Sequence, residues 1–233
     1  MRRILILALL CSLFSVAAAS AGSVTGKVTF DSAVPKLRPI DMNADPCCAS
    51  KHSGRVANPM LTIGEGNGLG NVFVQVKNAP AGDHKAPSEA VEIDQNGCMY
   101  IPRVIGAMVG QPVRFKNSDG ILHNVHGLPK VNREFNAGMP PTVKQTEKVF
   151  NKPEPLFAVK CDVHPWMQSY VAVMTHPFFT VTNADGSFSI DGLPDGTYEV
   201  EAWHERLKTK SGSVTISGGK GTVDFSFTTP KKK

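Results

Sequence analysis

The sequence lacks the features that would announce a catalyst. It has no glycine-rich phosphate loop, no nucleophile set beside a base and no carboxylate pair spaced for acid–base work, so a side-chain enzyme mechanism is not expected. It also lacks stretches where basic and aromatic residues interleave, which argues against a nucleic-acid partner. The formal net charge is only +5, and part of it sits in Lys231-Lys232-Lys233, read as the end of a solvated basic tail at 230–233.

Long apolar runs are missing too, with one exception. Arg2-Arg3, then Ile4 to Val16, then Ala19-Ser20-Ala21 form the charged, apolar and small-residue parts of a secretory signal over 1–21. The apolar part falls short of the about 20 residues a spanning helix needs, so no membrane span is expected once the signal is removed; retention as an N-terminal anchor is the alternative. Cys11 follows Leu9-Leu10 rather than a small residue, which argues against a lipoprotein anchor. The expected location is secreted or periplasmic.

Cysteine is scarce. After the signal only Cys47, Cys48, Cys98 and Cys161 remain. An exported compartment permits disulfides. If Cys161 is engaged elsewhere, the three left over give one bridge from Cys48 or Cys47 to Cys98 and one thiol outside it. Cys47-Cys48 with His52 is a poorer candidate for a metal site of its own, because nothing nearby completes a ligand set.

What is abundant is turn chemistry and short alternation. The 21 glycines and 17 prolines accompany many brief apolar–polar alternations, an all-β signature. Gly22 to Phe30, Asn71 to Lys77, Ala90 to Asp94, Leu156 to Cys161 and Ser169 to Thr175 read as strands. Residues 130–152 read as a long polar connection, with a candidate strand at Lys144 to Phe150. Beyond His176-Pro177, short strands separated by Asn183-Ala-Asp-Gly186, Asp191-Gly-Leu-Pro194 and Ser217-Gly-Gly219 suggest a second, antiparallel sandwich. The expected division is 22–66 as an N-terminal strand and cysteine-containing loop, 67–176 as the main unit and 177–229 as the smaller sandwich. So short a sandwich buries little surface, and strand 22–30 is a candidate to complete it.

The chemistry concentrates in Cys161-Asp-Val-His164-Pro-Trp-Met167. Thiolate and thioether are soft ligands and imidazole is borderline, a set that selects copper over Mg²⁺ or Ca²⁺. A trigonal copper site takes one Cys, two His and a weak axial Met, and the second His must come from elsewhere. Leu122-His123-Asn124-Val125-His126 offers it. Residues three apart on a strand face opposite ways, so one of the two histidines reaches the site. His123 is preferred, with Asn124 able to hydrogen-bond between the ligand loops, and His126 is the alternative or an outer neighbour. Zinc is the rival ion, but it rarely takes thioether. Taken singly, Cys161 reads as a buried thiol and His164 as a loop histidine; the combination is what carries the metal reading. Trp166 reads either as part of an apolar docking rim around an exposed His164 edge or as core packing. His204 is expected at the surface.

His-Asn-Val upstream and Cys-x-x-His-x-x-Met downstream resemble the cupredoxins, and the short ligand spacing is most similar to amicyanin. The resemblance covers roughly Asn71 to Thr175. It implies a Greek-key β-sandwich and one type I copper ion held by His123, Cys161, His164 and Met167. It also implies service as an electron carrier between a redox donor and acceptor. The segment Asp45 to His52, Cys98 and His126 depart from that pattern. From about Phe178 the Asp-Gly-Ser-Phe-Ser-Ile…Leu-Pro-Asp-Gly-Thr-Tyr pattern resembles the carboxypeptidase regulatory-like or transthyretin-like sandwich, and the whole resembles exported proteins called methylamine utilisation proteins. Two other functions fit the residues: a copper-handling protein without redox turnover, and a cell-envelope β-sandwich binding module.

Overall fold

The structure, a computed structural model, describes residues 21–230. The signal segment up to residue 20, including Cys11, and the lysines 231–233 lie outside the described residues. In chain order the strands are β1 (Gly22–Phe30), β2 (Phe73–Val76), β3 (Val91–Gln95), β4 (Tyr100–Ile101), β5 (Val104–Met108) and β6 (Pro112–Asn117). There follow β7 (His123–Gly127), β8 (Phe135–Met139), β9 (Gln145–Val149), β10 (Glu154–Lys160) and β11 (Gln168–Met174). The last six are β12 (Phe179–Val181), β13 (Ser187–Leu193), β14 (Gly196–His204), β15 (Lys208–Ile216), β16 (Lys220–Thr222) and β17 (Phe225–Phe227). One short α-helix, α1 (Pro46–Ala49), and a 3-10 turn at Glu65–Asn67 stand between β1 and β2. Among the described residues no helix is long and apolar enough to cross a membrane.

The strands form two sandwiches. In the first, the sheet β5-β11-β10-β7-β8 faces the sheet β4-β3-β6-β9. Between them lies a core that includes Ile93, Val113, Phe115, Val125, Phe157, Val159 and Val171. In the second, β1 with β13, β16 and β17 faces β12-β2-β14-β15 around Val24, Val28, Phe30, Val200, Ile216 and Phe227. Strand alternation makes each core: Val24, Val28 and Phe30 of β1 all point inward, as do Phe157 and Val159 of β10.

Three features differ from the reading of the sequence. The strand at Asn71 to Lys77, assigned there to the main unit, is β2, and it pairs with β12 and β14 of the second sandwich. Its valines alternate as well for one sheet as for the other, so periodicity cannot say which sheet takes it. The second sandwich is not wholly antiparallel, because β1 runs parallel to β16 and β17. The stretch 130–152, read as a polar connection, contains β8, in which Phe135, Ala137 and Met139 alternate with Asn136 and Gly138 and Met139 is fully buried.

The sandwiches share a third apolar layer, in which Phe73, Val104 and Ala172 are buried. Phe73 and Phe179 stack with ring centroids 5.6 Å apart, and Tyr170 meets Trp203 edge-on at 5.1 Å. Gly106 of β5 lies against this pair of phenylalanines. A Cβ there would come within 2.4 Å of the Phe179 ring and 2.8 Å of Phe73, so only glycine allows the strand so close. A buried ion pair, Arg103 with Glu205, crosses between the sandwiches beside Tyr170.

Candidate metal centre

Two strands and one loop bring the donors together. β10 and β11 pair as far as Lys160 with Gln168, leaving 161–167 as the connection. Pro165 cannot donate to a ladder, and the loop closes on itself instead. Met167 N–H donates to the His164 carbonyl at 2.9 Å and Cys161 N–H donates to the Met167 carbonyl at 3.2 Å. Cys161 continues the inward alternation of β10 and is 2% exposed. On the neighbouring strand β7, His123 is fully buried.

The Nδ1 atoms of His123 and His164 lie 2.9 Å apart, and the Cys161 Sγ stands 3.9 Å from the first and 3.8 Å from the second. Bonds of about 2.0 Å to nitrogen and about 2.3 Å to sulfur let one ion touch two donors only when they are within roughly 4.3 Å of each other. All three separations meet that condition. Met167 is fully buried in the same core. The donor set is one sulfur and two imidazoles, which suits a soft or borderline ion such as copper or zinc far better than a hard cation.

Each imidazole has its outer nitrogen engaged. Asp119 takes His123 Nε2 at 3.0 Å, and Asp45 takes His164 Nε2 at 3.0 Å. A carboxylate accepts and cannot donate, so each Nε2 carries the hydrogen, and in a neutral ring Nδ1 then turns a lone pair inward. Two lone pairs that close repel unless a cation lies between them. Burial works against ionised Asp119, but the hydrogen bonds from His123, the Cys98 N–H and Lys51 prevail and hold its carboxyl at about 2. The His164 contact holds the Asp45 carboxyl below its ordinary value. Burial opposes a charged His123, yet Asp119 and Cys161 raise its pKa. Burial likewise opposes a Cys161 thiolate. Hydrogen bonds with His123 and with the backbone at Asn124 and His164 outweigh it and bring the thiol down to about 7.

Asn124 ties the two ligand-bearing segments. Its Oδ1 accepts the Asp162 N–H at 2.7 Å, and its Nδ2 donates to Asp162 Oδ2 at 2.8 Å. His126, three residues beyond His123, faces away. Its ring pairs with Asp162 at 3.1 Å and Glu134 at 2.9 Å, at the surface. Cys48 is joined to Cys98, and Cys47 is free and exposed.

Two expectations need correcting. His164 has no exposed edge: it is 2% exposed, with Asp45 on its outer nitrogen and Trp166 against its ring at 5.3 Å. Trp166 is half-buried and donates from Nε1 to the Cys98 carbonyl at 3.0 Å, so it packs as part of the site's cover. His204 is buried, because the strand β14 turns its ring inward towards Phe227. The residues that sequence reasoning missed are Asp45 and Asp119. Asp45-Pro46 carries the signal of a helix start, with an acidic N-cap before proline. Nothing in that signal points to a histidine more than a hundred residues away.

Residues 156–223 match a family model described as polysaccharide lyase family 4, domain II. No curated protein sequence matches the chain. Among solved structures, the chain is similar to a Cu(I) amicyanin mutant at 19% identity, covering 43% of this chain and 98% of that one with a TM-score of 0.33. A Cu-containing nitrite reductase from Thermus scotoductus SA-01 matches at 21% identity over 42% of this chain and 25% of its own, with a TM-score of 0.34. A purple cupredoxin from Nitrosopumilus maritimus matches at 23% identity over 36% and 98%, with a TM-score of 0.30. At such scores the likenesses decide nothing about chemistry, which rests on the donor atoms themselves.

Proposed function

We propose that this is an exported mononuclear type I copper protein that passes single electrons between redox proteins and performs no side-chain catalysis. The observation that carries the reading is the convergence of a buried thiol and two imidazole Nδ1 atoms, with both outer imidazole nitrogens already engaged. His123, Cys161 and His164 would hold the ion, with Met167 as the weak fourth ligand. Copper in such a set supplies a one-electron couple. The chain supplies rigidity. Cys161 directly follows β10, which pairs with the strand β7 that carries His123, Asn124 locks the ligand loop to β7, and the surrounding core excludes water. The Cys48–Cys98 bridge and the absence of a long apolar helix among the described residues agree with an extracellular or periplasmic setting.

One observation favours a second reading, that of a copper holder without redox turnover. The cover of Asp45 and Trp166 over His164 removes the exposed ring edge through which a partner would reach the ion. The visible spectrum separates the two. Copper-loaded wild type is expected to show an intense thiolate-to-copper band that Cys161→Ala abolishes. A colourless protein that binds Cu(I) tightly would favour the holder, and no copper binding at all would overturn both.

A further inference from the structure

The two carboxylates behind the histidines hang from one disulfide. Asp45 Oδ1 accepts the N–H of Cys47 at 2.8 Å and of Cys48 at 3.3 Å, while its Oδ2 meets His164. Asp119 Oδ1 accepts the Gly97 N–H at 2.7 Å, and its Oδ2 accepts the Cys98 N–H at 2.8 Å and meets His123. Each half-cystine therefore presents its own backbone N–H to the carboxylate that orients one histidine. The Cys48–Cys98 bond joins the two halves. The ring of contacts is closed: half-cystine, aspartate, histidine, the facing histidine, its aspartate, and the other half-cystine. Neighbouring contacts brace it. Lys51 reaches Asp119 at 3.2 Å, and His52 Nε2 lies 2.8 Å from the Gly97 carbonyl. These groups come from segments far apart in sequence, and the disulfide is the covalent link between the cap at 45–52 and the loop at 96–98.

We infer that Asp45 and Asp119 are positioning residues for His164 and His123, and that the Cys48–Cys98 disulfide is the brace that sets both at once. The arrangement fixes each ring's tautomer and direction before any metal arrives. A hydrogen-bonded carboxylate behind a metal-binding imidazole orients it and raises its basicity, and loss of such a partner typically costs about 10–100-fold in metal affinity. The inference rests on the copper reading for its affinity readout only.

The test uses the whole protein with imidazole nitrogens labelled, and reads ¹⁵N shifts metal-free at a pH where both rings are neutral. A second readout is Cu(I) affinity by chelator competition. Wild type is expected to show both rings protonated at Nε2. Asp45→Ala disturbs His164 alone, Asp119→Ala disturbs His123 alone, and the paired change Cys48→Ala with Cys98→Ala disturbs both. Affinity falls about 10–100-fold in the Ala variants and in the cysteine pair. If the cysteine pair folds and leaves both rings and the affinity as in wild type, the brace is refuted. If either single Asp→Ala variant leaves its own histidine unmoved, the positioning role is refuted whether or not the cysteine pair folds. Were wild type to bind no copper while its ring signals still answered to these changes, the copper reading would fall and the frame would stand.

Discussion

The two sandwiches are built alike and bury different things. The core between β1 and β14 is almost wholly apolar, from Val24 through Phe30 to Ile216 and Phe227, with Thr182 and His204 as its buried polar neighbours. The core between β6 and β10 ends in Cys161, His123, His164 and Asn124, all under a tenth exposed. Burying polar groups costs free energy unless each one finds partners. In the second sandwich the few that exist are used structurally: Thr182 accepts the Val72 N–H and donates to the Leu69 carbonyl. In the first, Gln111, Glu154 and Ser169 are likewise bonded to the backbone, but His123, Cys161 and His164 gather at one end with their inner atoms facing one another. One core is arranged for cohesion, and the other gives up part of its cohesion to hold a reactive set in place.

Three changes would break or sharpen that contrast. The largest effect is expected from Phe227→Ala, which empties part of the apolar core and should cost about 4 kcal/mol in denaturant unfolding. Copper affinity of the folded fraction should stay as in wild type; a large fall in affinity would show that the two cores are not separable in function.

An intermediate effect concerns His204, the one histidine buried beside the apolar core. Burial and the nearby Arg103 and Arg206 lower its pKa from 6.5 to about 4. A depressed value means that the fold favours the neutral ring. That contribution is complete above pH 6.5 and is lost as pH falls towards about 4, on the order of 3 kcal/mol. His204→Asn keeps an acceptor for the Arg206 N–H, which bonds Nδ1 at 3.2 Å, and should flatten this limb of the stability profile. An unchanged profile would place the acid sensitivity elsewhere.

The smallest effect is expected from His126→Ala. Its pairs with Asp162 and Glu134 are surface contacts, so the loss should be less than about 1 kcal/mol, with copper affinity and visible band retained. Loss of the band in His126→Ala and its survival in His123→Ala would reverse the choice between the two histidines.

What could be read from the sequence was local. The alternation Phe157, Val159, Cys161 places the thiol on the inward face of a strand, and three residues of loop return His164 to it. Those are consequences of strand geometry and short spacing. The all-β class follows from many such segments. What could not be read depends on pairing at a distance. The alternation of β2 is the same whichever sheet receives it, and its partner strand β14 begins over a hundred residues later. β8 has only a three-residue apolar alternation, Phe135, Ala137 and Met139, set in a polar stretch, and its place in the sheet is fixed by pairing with β7. Asp45 and Asp119 sit in turns that look like ordinary turn chemistry, an N-cap before proline and an Asn-Ser-Asp-Gly bend. Their second bonds, to histidines across the site, leave no trace in local composition.

The parallel pairing of β1 with β17, Val28 against Phe225 and Phe30 against Phe227, has a mechanical consequence. The chain leaves the second sandwich after β2 and returns at β12, which lies antiparallel beside β2 with Phe179 opposite Gln75. Tension applied between residues 22 and 227 would be carried by β1 and β17 in shear, within a single sheet. The excursion from residue 77 to residue 178 would lie outside the load path, and the donor triad would keep its shape until that sheet gave way.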